Sequence, residues 1–263
     1  MWLVHPAARA LLPVALRLRV SANMVSVIGF LVGAGAALAF AHWQRPGMAL
    51  IGLLLGIVWL ICDGLDGMVA RATGTASAIG RVMDGVCDHG VFILIYVLLA
   101  ASIGTEGAWL LAIVAGAGHA VQSSLYEGER ARFHRRVRGD AAPVMHPHLG
   151  SAIVRGYDAI AGSIDRLAAR FDITMRAAPD PAAFGRDYGH AAAPAMKAMS
   201  LLSANVRLLA IALACLAQEP TLFWWFEIVA LTLVALATIA WHRRVEQRLA
   251  LGYPDSTGLQ AGA

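Results

Sequence analysis

The chain has 263 residues, of which 59% are hydrophobic and only 14% are charged. Soluble domains carry about 25% charged residues, so this composition excludes an ordinary soluble domain and indicates an integral membrane protein. The formal net charge of +4 does not indicate a nucleic-acid-binding protein, because the basic residues lie in loops beside apolar segments.

Residues 1–22 are predicted to form an amphipathic helix that lies in the membrane interface. The segment mixes leucine, valine and tryptophan with three arginines, and Pro6 and Pro13 interrupt it. A run of this kind is too broken to span a bilayer. Its mixture of apolar and basic side chains suits the headgroup region instead.

Residues 23–126 contain four apolar segments, each long enough to cross a bilayer. Their predicted bounds are about 24–42, 48–71, 77–103 and 108–126. The pairs Gly29/Gly33 and Gly52/Gly56 have the spacing of small residues at helix-packing seams in membranes. We therefore expect close helix contacts at these glycines.

Residues 127–197 interrupt the apolar pattern and are predicted to form a basic cytosolic loop with its own helices, including an amphipathic piece near 151–171. The loop is long for a compact domain, and loops of this length usually carry secondary structure. Its arginine run is expected to form a solvated face toward lipid headgroups. The run consists of Arg130, Arg132, Arg135, Arg136 and Arg138.

Residues 198–242 supply two further spans, at about 198–217 and 221–241, and residues 243–263 form a tail. Six spans place both termini on one side of the membrane. That side carries every lysine and arginine except Arg45, so the positive-inside rule makes it cytosolic. The predicted fold is an all-α integral membrane protein with six transmembrane helices, an N-terminal interfacial helix and both termini cytosolic.

Four aspartates lie in or against apolar surroundings between residues 63 and 88. Asp63 and Asp66 are three residues apart, and Asp84 and Asp88 are four apart, so each pair occupies one helix face. A charged side chain at such depth costs about 2.5–3.5 kcal/mol, so these acids should be paired, metal-bound or facing water. Four converging carboxylates, with no thiolate or imidazole at matching spacing, form a hard-oxygen site for Mg²⁺, Mn²⁺ or Ca²⁺.

The residues between the two pairs suit a phosphate ligand. Gly67 removes a side chain after Asp66 and lets a ligand approach the backbone. Arg71, one turn later, offers a fork of donors that fits phosphate oxygens. Gly80 thins the second helix four residues before Asp84.

This arrangement resembles the signature of the CDP-alcohol phosphotransferase (CDP-alcohol phosphatidyltransferase) family. Every fixed position is present: Asp63-x-x-Asp66-Gly67-x-x-Ala70-Arg71, then after eight residues Gly80-x-x-x-Asp84-x-x-x-Asp88. The resemblance implies a six-helix membrane enzyme, usually a homodimer. Such an enzyme moves a substituted phosphate from a CDP-alcohol to an acceptor hydroxyl and releases CMP. It also implies an active site facing the cytosol, in the inner membrane if the source is bacterial.

The resemblance further implies roles for individual residues. Two Mg²⁺ or Mn²⁺ ions would be held by Asp63, Asp66, Asp84 and Asp88, and Asp88 would also be the catalytic general base. The expected nucleotide-binding residues are Asn23, Ser26, Asp63, Gly67, Ala70, Arg71, Ser77 and Gly80. For Asn23 and Ser77 a helix-capping role is an open alternative, and Ala22 stands where the commoner family form has proline.

The acceptor-binding residues are predicted from depth in the membrane. Asn205 and Arg207 are expected at the level of the aspartates, and Arg207 is expected to face the same cavity because a buried arginine needs an anionic partner. His119 is the third candidate, with a packing role as its alternative.

The function expected from this resemblance is phosphatidyl transfer from CDP-diacylglycerol in membrane phospholipid biosynthesis. The first alternative keeps the chemistry but uses a lipid acceptor of the diacylglycerol or ceramide type with a small CDP-alcohol donor. The second is a divalent-cation transporter, which would spread acids across the whole membrane, whereas here they crowd the cytosolic third. Family members share the motif but use different acceptors, so the motif leaves the acceptor open.

Overall fold

The computed structural model describes residues 4–140 and 171–252, apart from the side chains of residues 78, 79 and 81–84. These ranges contain helices and turns and no strand. Five of the helices are long and apolar enough to cross a membrane. The number becomes six if Pro181–Leu202 and Ala204–Leu216 are counted as one broken span. The prediction of an all-α membrane protein is confirmed at this level.

Eight helices are labelled in chain order. They are α1 (Val4–Arg17), α2 (Ala22–Ala41), α3 (Pro46–Ala72), α4 (Ala78–Ile103), α5 (Glu106–Val137), α6 (Pro181–Met199), α7 (Ala204–Leu216) and α8 (Thr221–Gly252). A short 3₁₀ turn, Ser200–Leu202, follows α6, and α8 contains a π-helical stretch at Phe226–Leu231. Residues 171–177 are also helical.

Side chains at the helix ends explain where α2, α3 and α4 begin. Ser21 caps α2 by accepting a hydrogen bond from the Met24 backbone, and Ser77 caps α4 in the same way from Gly80. Pro46 opens α3, where its missing N–H costs nothing. Gly104 ends α4 in a left-handed conformation, φ 75°, that a glycine adopts without strain.

The chain divides into two compact units. The first comprises the described residues up to Gly118 together with Ser203–Val229, and α2 packs against both α3 and α4 in it. A β-carbon built on Gly33 of α2 would lie 2.4 Å from Cγ2 of Val91 on α4 and 3.2 Å from Cγ of Trp59 on α3. The glycine therefore lets α2 fit closely between its neighbours.

The other predicted seam glycines also mark close contacts. A β-carbon on Gly29 would lie 3.0 Å from Cβ of Cys62, and one on Gly52 would lie 2.8 Å from the ring of Phe40. One on Gly56 would lie 2.3 Å from Leu208 of α7. The prediction of packing seams at these glycines is confirmed.

The second unit comprises His119–Leu202 and the chain from Ala230 onward. Its core contains Phe171, Phe184 and Tyr188, with the rings of Phe171 and Phe184 stacked 5.3 Å apart. A β-carbon on Gly185 of α6 would lie 2.3 Å from the carbonyl oxygen of Arg136 on α5. This glycine allows the backbones of α5 and α6 to meet.

Two predicted boundaries differ from the structure. The fourth span was expected to end near residue 126, but α5 continues to Val137, because residues 127–137 are mostly glutamate, arginine and alanine, which favour helix. The fifth span was expected over 198–217, but the helix breaks before Ala204, at a turn that contains Ser200 and Ser203. The amphipathic piece expected near 151–171 lies almost entirely outside the described residues.

We predict that Gly33→Ala lowers the thermal stability of the detergent-solubilised protein. The added methyl group would overlap the stiff side chain of Val91, and overpacking of this kind costs about 1–3 kcal/mol. The double variant Gly33→Ala/Val91→Ala should recover part of the loss in a thermal unfolding assay. Gly47→Ala is the matched control, because a β-carbon there meets nothing within 4 Å. Equal stability of Gly33→Ala and Gly47→Ala would contradict the seam.

Candidate functional site

An aromatic contact joins the two helices that carry the halves of the aspartate motif. The rings of Trp59 on α3 and Phe92 on α4 pack edge to face with centroids 5.3 Å apart. Asp63 lies one turn after Trp59, and Asp88 lies one turn before Phe92, so each shares a helix face with its aromatic neighbour. Asp63 and Asp88 therefore lie on facing sides of the two helices, toward the turn that joins them.

Asp66 is the most buried described acid of the motif, with 4% of its surface exposed. Ser26 of α2, also buried, donates a hydrogen bond from Oγ to Oδ2 of Asp66 over 2.6 Å. Asp63 and Asp88 are half-buried. The site thus combines one acid fixed by a neighbouring helix with two more accessible ones.

Gly67 leaves space for the side chain of Arg71. A β-carbon built on Gly67 would lie 3.3 Å from Nη1 of Arg71, so the guanidinium folds back along α3 over the glycine. Arg71 is exposed, and its helix ends at Ala72. A cationic fork at the mouth of an acidic site is suited to phosphate oxygens.

The remaining expected nucleotide contacts occupy varied positions. Ser77 caps α4, as its alternative role predicted: the backbone N–H of Gly80 donates a hydrogen bond to Oγ of Ser77. Asn23 is exposed in the first turn of α2, and the cap of that helix is Ser21. Ala70 is half-buried on α3. The side chain of Asp84 lies outside the described part of the chain.

The described donors of the motif fit a divalent cation that prefers oxygen ligands. Asp63, Asp66 and Asp88 offer carboxylate oxygens, the hard ligands that Mg²⁺ and Mn²⁺ take in proteins. Their partial burial raises the cost of leaving the negative charges uncompensated. The residue chemistry at this place therefore agrees with a metal-assisted phosphate site.

Arg207 has a different environment from the one expected. It is fully buried, and its Nε donates to Oε1 of Glu227 on α8 over 2.9 Å. Its neighbour Leu208 packs on Gly56, seven residues before Asp63, which at 1.5 Å per residue is about 10 Å away along α3. The expectation that Arg207 lies at the level of the aspartates is wrong.

Glu227 is a buried acid that the sequence analysis missed. It lies six residues after the start of α8, within the π-helical stretch. The expectation that acids occur only in the cytosolic third fails here, but the pair with Arg207 is fully buried and offers no open ion route. A lone acid and a lone arginine in two consecutive apolar segments were the signal that could have found this pair. The other acceptor candidates are Asn205, half-buried in the first turn of α7, and His119, buried on α5.

A second group of ligand-type side chains lies in the second unit. Glu129, His242 and Glu246 are buried and bring one ligand atom each to within 4.8 Å of one another. Three arginines already bond their carboxylates: Arg243 contacts both acids, Arg132 contacts Glu129 and Arg136 contacts Glu246.

This group is an ion-pair network rather than a cation site. The imidazole Nδ1 of His242 also contacts Glu129, 2.7 Å away, so all four carboxylate oxygens have partners. A cation would be repelled by the three guanidinium groups. Arg132 and Arg136 were expected to be solvated, and that expectation is wrong, since both are buried here. Arg130 and Arg138 are exposed as expected.

Residues 19–133 match the family model described as CDP-alcohol phosphatidyltransferase. Over these residues the chain is similar to the CDP-alcohol phosphatidyltransferase family. The prediction made from the aspartate motif is thereby confirmed, and the match includes the whole motif. The similarity agrees with the expected transfer of a substituted phosphate group.

A curated relative agrees with this assignment. The chain is 27% identical over 89 residues to a CDP-diacylglycerol–glycerol-3-phosphate 3-phosphatidyltransferase of Cereibacter sphaeroides. The alignment covers 34% of this chain and 40% of the relative. The chain thus matches about two fifths of the relative's length.

We predict that breaking the Arg207–Glu227 pair destabilises the protein. Arg207→Met should cost about 3–5 kcal/mol, because it leaves the buried carboxylate of Glu227 without its guanidinium. The double variant Arg207→Met/Glu227→Leu should be closer to wild type, since no charge is then left buried. Thermal unfolding in detergent measures both. A double variant less stable than the single one would show that the two side chains do not act as a pair.

Proposed function

We propose that the protein is a metal-dependent CDP-alcohol phosphotransferase. It would move the phosphatidyl group of CDP-diacylglycerol to an acceptor hydroxyl with release of CMP, in membrane phospholipid biosynthesis. The observation that carries this proposal is the contact between Trp59 of α3 and Phe92 of α4, one turn from Asp63 and from Asp88, inside the matched segment. Asp66, fixed by Ser26, adds a third carboxylate to the same end of α3.

The cation would be held by Asp63, Asp66, Asp84 and Asp88, and we propose Mg²⁺ or Mn²⁺, with two ions in the site. When bound, it supplies positive charge to the pyrophosphate of the donor. Without such compensation, four acids would repel a pyrophosphate. The carboxylate donors of the described residues support this choice over a softer metal.

The protein's own residues then bind the donor and move one proton. Arg71, exposed at the end of α3, would donate to phosphate oxygens, and the absent side chain of Gly67 leaves room for both guanidinium and ligand. The carboxylate of Asp88 would accept the proton of the acceptor hydroxyl as that oxygen attacks the phosphorus distal to cytidine. Asp88 is half-buried, so a substrate can reach it.

A phosphorylated polyol is the acceptor to test first. The relative is named for transfer to glycerol 3-phosphate, which supports this class without extending the relative's activity to this chain. Arg207 is not proposed as an acceptor contact, because its guanidinium is buried against Glu227. Asn205 stays a candidate contact, and so does His119. A lipid acceptor with a small CDP-alcohol donor is the alternative that the same assay distinguishes.

The proposed topology has six spans, with both termini and the active site on the cytosolic side. The five or six candidate spans and the distribution of basic residues support it. We further propose a homodimer, and the inner membrane as the location if the source is bacterial.

We predict that purified protein releases CMP from CDP-diacylglycerol only when an acceptor and Mg²⁺ or Mn²⁺ are present. Asp88→Asn should lower turnover at least about 100-fold and keep donor binding, because the amide has the same shape but cannot accept the proton. Asp187→Asn, an exposed aspartate on α6, is the matched control. Full activity in excess EDTA would contradict the proposed metal dependence. Near-normal turnover of Asp88→Asn would contradict the role of Asp88 as general base.

We also predict that Ser26 orients Asp66 for metal binding. Ser26→Ala should weaken Mn²⁺ binding roughly tenfold, as loss of a residue that orients a metal ligand usually does. Ser26→Thr, which keeps the hydroxyl, should stay near wild type. Mn²⁺ binding is measured by electron paramagnetic resonance without substrate. Ser102→Ala, a half-buried serine bonded to Trp43, is the control, and an equal loss in that variant would argue against a specific role.

A further inference from the structure

Gly56 marks a close contact on α3 about two turns before Asp63. The two residues are seven apart, so they share a helix face. A β-carbon built on Gly56 would lie 2.3 Å from Cδ1 and 3.1 Å from Cγ of Leu208 on α7. Leu208 is 2% exposed, so its side chain fills the space that the glycine leaves. A residue of α7 therefore sets the place of α3 at this level.

Tyr96 marks the matching contact on α4. It lies eight residues, or about two turns, after Asp88 on the same broad helix face. Its ring lies 5.5 Å from the ring of Phe223, and its hydroxyl donates a hydrogen bond to the carboxylate of Glu227. Both partners belong to the first two turns of α8. The start of α8 therefore holds α4 at this level.

One buried ion pair joins the two contacts. Arg207, the residue before Leu208, donates from Nε to Oε1 of Glu227 over 2.9 Å, and both members of the pair are fully buried. Glu227 thus bonds to α7 through Arg207 and to α4 through Tyr96. We call Arg207, Leu208 and Glu227 the brace. Because breaking a buried ion pair is costly, the pair holds the helices that it joins in one arrangement.

The brace and the aromatic contact hold α3 and α4 at two levels. The contact between Trp59 and Phe92 lies about one turn from the half-buried acids of the two helices, and the brace lies about two turns from them. Helix α2 packs against both helices as well, and the brace adds a constraint from α7 and α8. A helix held at two levels has a fixed direction, so the place of its acid-bearing end is fixed too.

We propose that the brace sets the separation between the acid-bearing ends of α3 and α4. Leu208 places α3 through Gly56, and Glu227 places α4 through Tyr96. Divalent cations need ligand atoms within about 0.2 Å of their preferred distances, so a small change in helix separation weakens cation binding. The brace residues are positioning residues and do not contact the cation. The consequence for the cation rests on the proposed function, whereas the helix separation does not.

The helix separation is measurable without metal or substrate. Spin labels carried by a noncanonical amino acid at the exposed positions Ala72 of α3 and Val86 of α4 report it by double electron–electron resonance of the full-length protein in nanodiscs. Gly56→Ala should shift the label distance by about 1–2 Å, because the added methyl group overlaps Leu208. Gly56→Ala/Leu208→Ala restores the space and should return the distance toward that of the wild type.

Mn²⁺ binding, followed by electron paramagnetic resonance without substrate, tests the consequence for the cation. Tyr96→Phe keeps the ring against Phe223 and removes only the hydroxyl that bonds to Glu227. This variant should broaden the distribution of label distances and weaken Mn²⁺ binding roughly 2- to 30-fold, as expected for a residue coupled to a site that it does not contact. Gly56→Ala should lose affinity in the same range, and its double variant with Leu208→Ala should regain most of it.

Gly52→Ala is the matched control, because it also overpacks α3 but lies outside the brace. A β-carbon on Gly52 would lie 2.8 Å from the ring of Phe40. Its thermal unfolding temperature should fall as that of Gly56→Ala does, while its label distance and Mn²⁺ affinity stay as in the wild type. Equal changes in Gly52→Ala would overturn the proposal, and so would label distances that are unchanged in both Gly56→Ala and Tyr96→Phe. Shifted distances in a protein whose wild type binds no Mn²⁺ would support the brace and contradict the proposed metal dependence.

Discussion

The cost of placing carboxylates inside an apolar helical bundle governs the rest of this structure. Asp63, Asp66 and Asp88 lie on helices that are strongly apolar before the first pair and after the second. An ionised acid in such a place needs hydrogen bonds, cations or water. Ser26 supplies a hydrogen bond to Asp66, and partial exposure gives Asp63 and Asp88 access to water. The proposed cation and phosphate ligand would complete the balance.

Glycine seams make this arrangement possible because they set how closely the helices approach. Gly29 and Gly33 let α2 fit against Cys62, Trp59 and Val91, each of which lies within four residues of Asp63 or Asp88 in its helix. The same approach brings Ser26 within 2.6 Å of Asp66. The hydrogen bond between Ser26 and Asp66 thus depends on the absence of side chains at Gly29 and Gly33, one and two turns further along α2.

The local features of the helices could be predicted from the sequence, but the ion pairs between helices could not. The motif spacing, the family and the seam glycines follow from residue types at short separations, which helix geometry converts directly into faces. The pair Arg207–Glu227 and the contact of Arg136 with Glu246 each join two different helices, and spacing within one helix carries no information about them. The length of α5 was underestimated because hydropathy marks where a membrane segment ends, whereas the helix continues as long as its residues favour helix.

Burial and charge balance separate structural acids from candidate catalytic ones in this chain. Glu129, Glu227 and Glu246 are at most 2% exposed, and each is bonded to an arginine from another helix. Such pairs leave no room for a ligand, and they add little to net stability. Their role is therefore to fix which helices meet rather than to perform chemistry. Asp63 and Asp88 remain partly accessible, and Arg71, at the end of the helix that carries Asp63, is exposed. Asp63 and Asp88 stay accessible although charged groups in an apolar bundle cost free energy. Binding of a charged ligand would offset that cost.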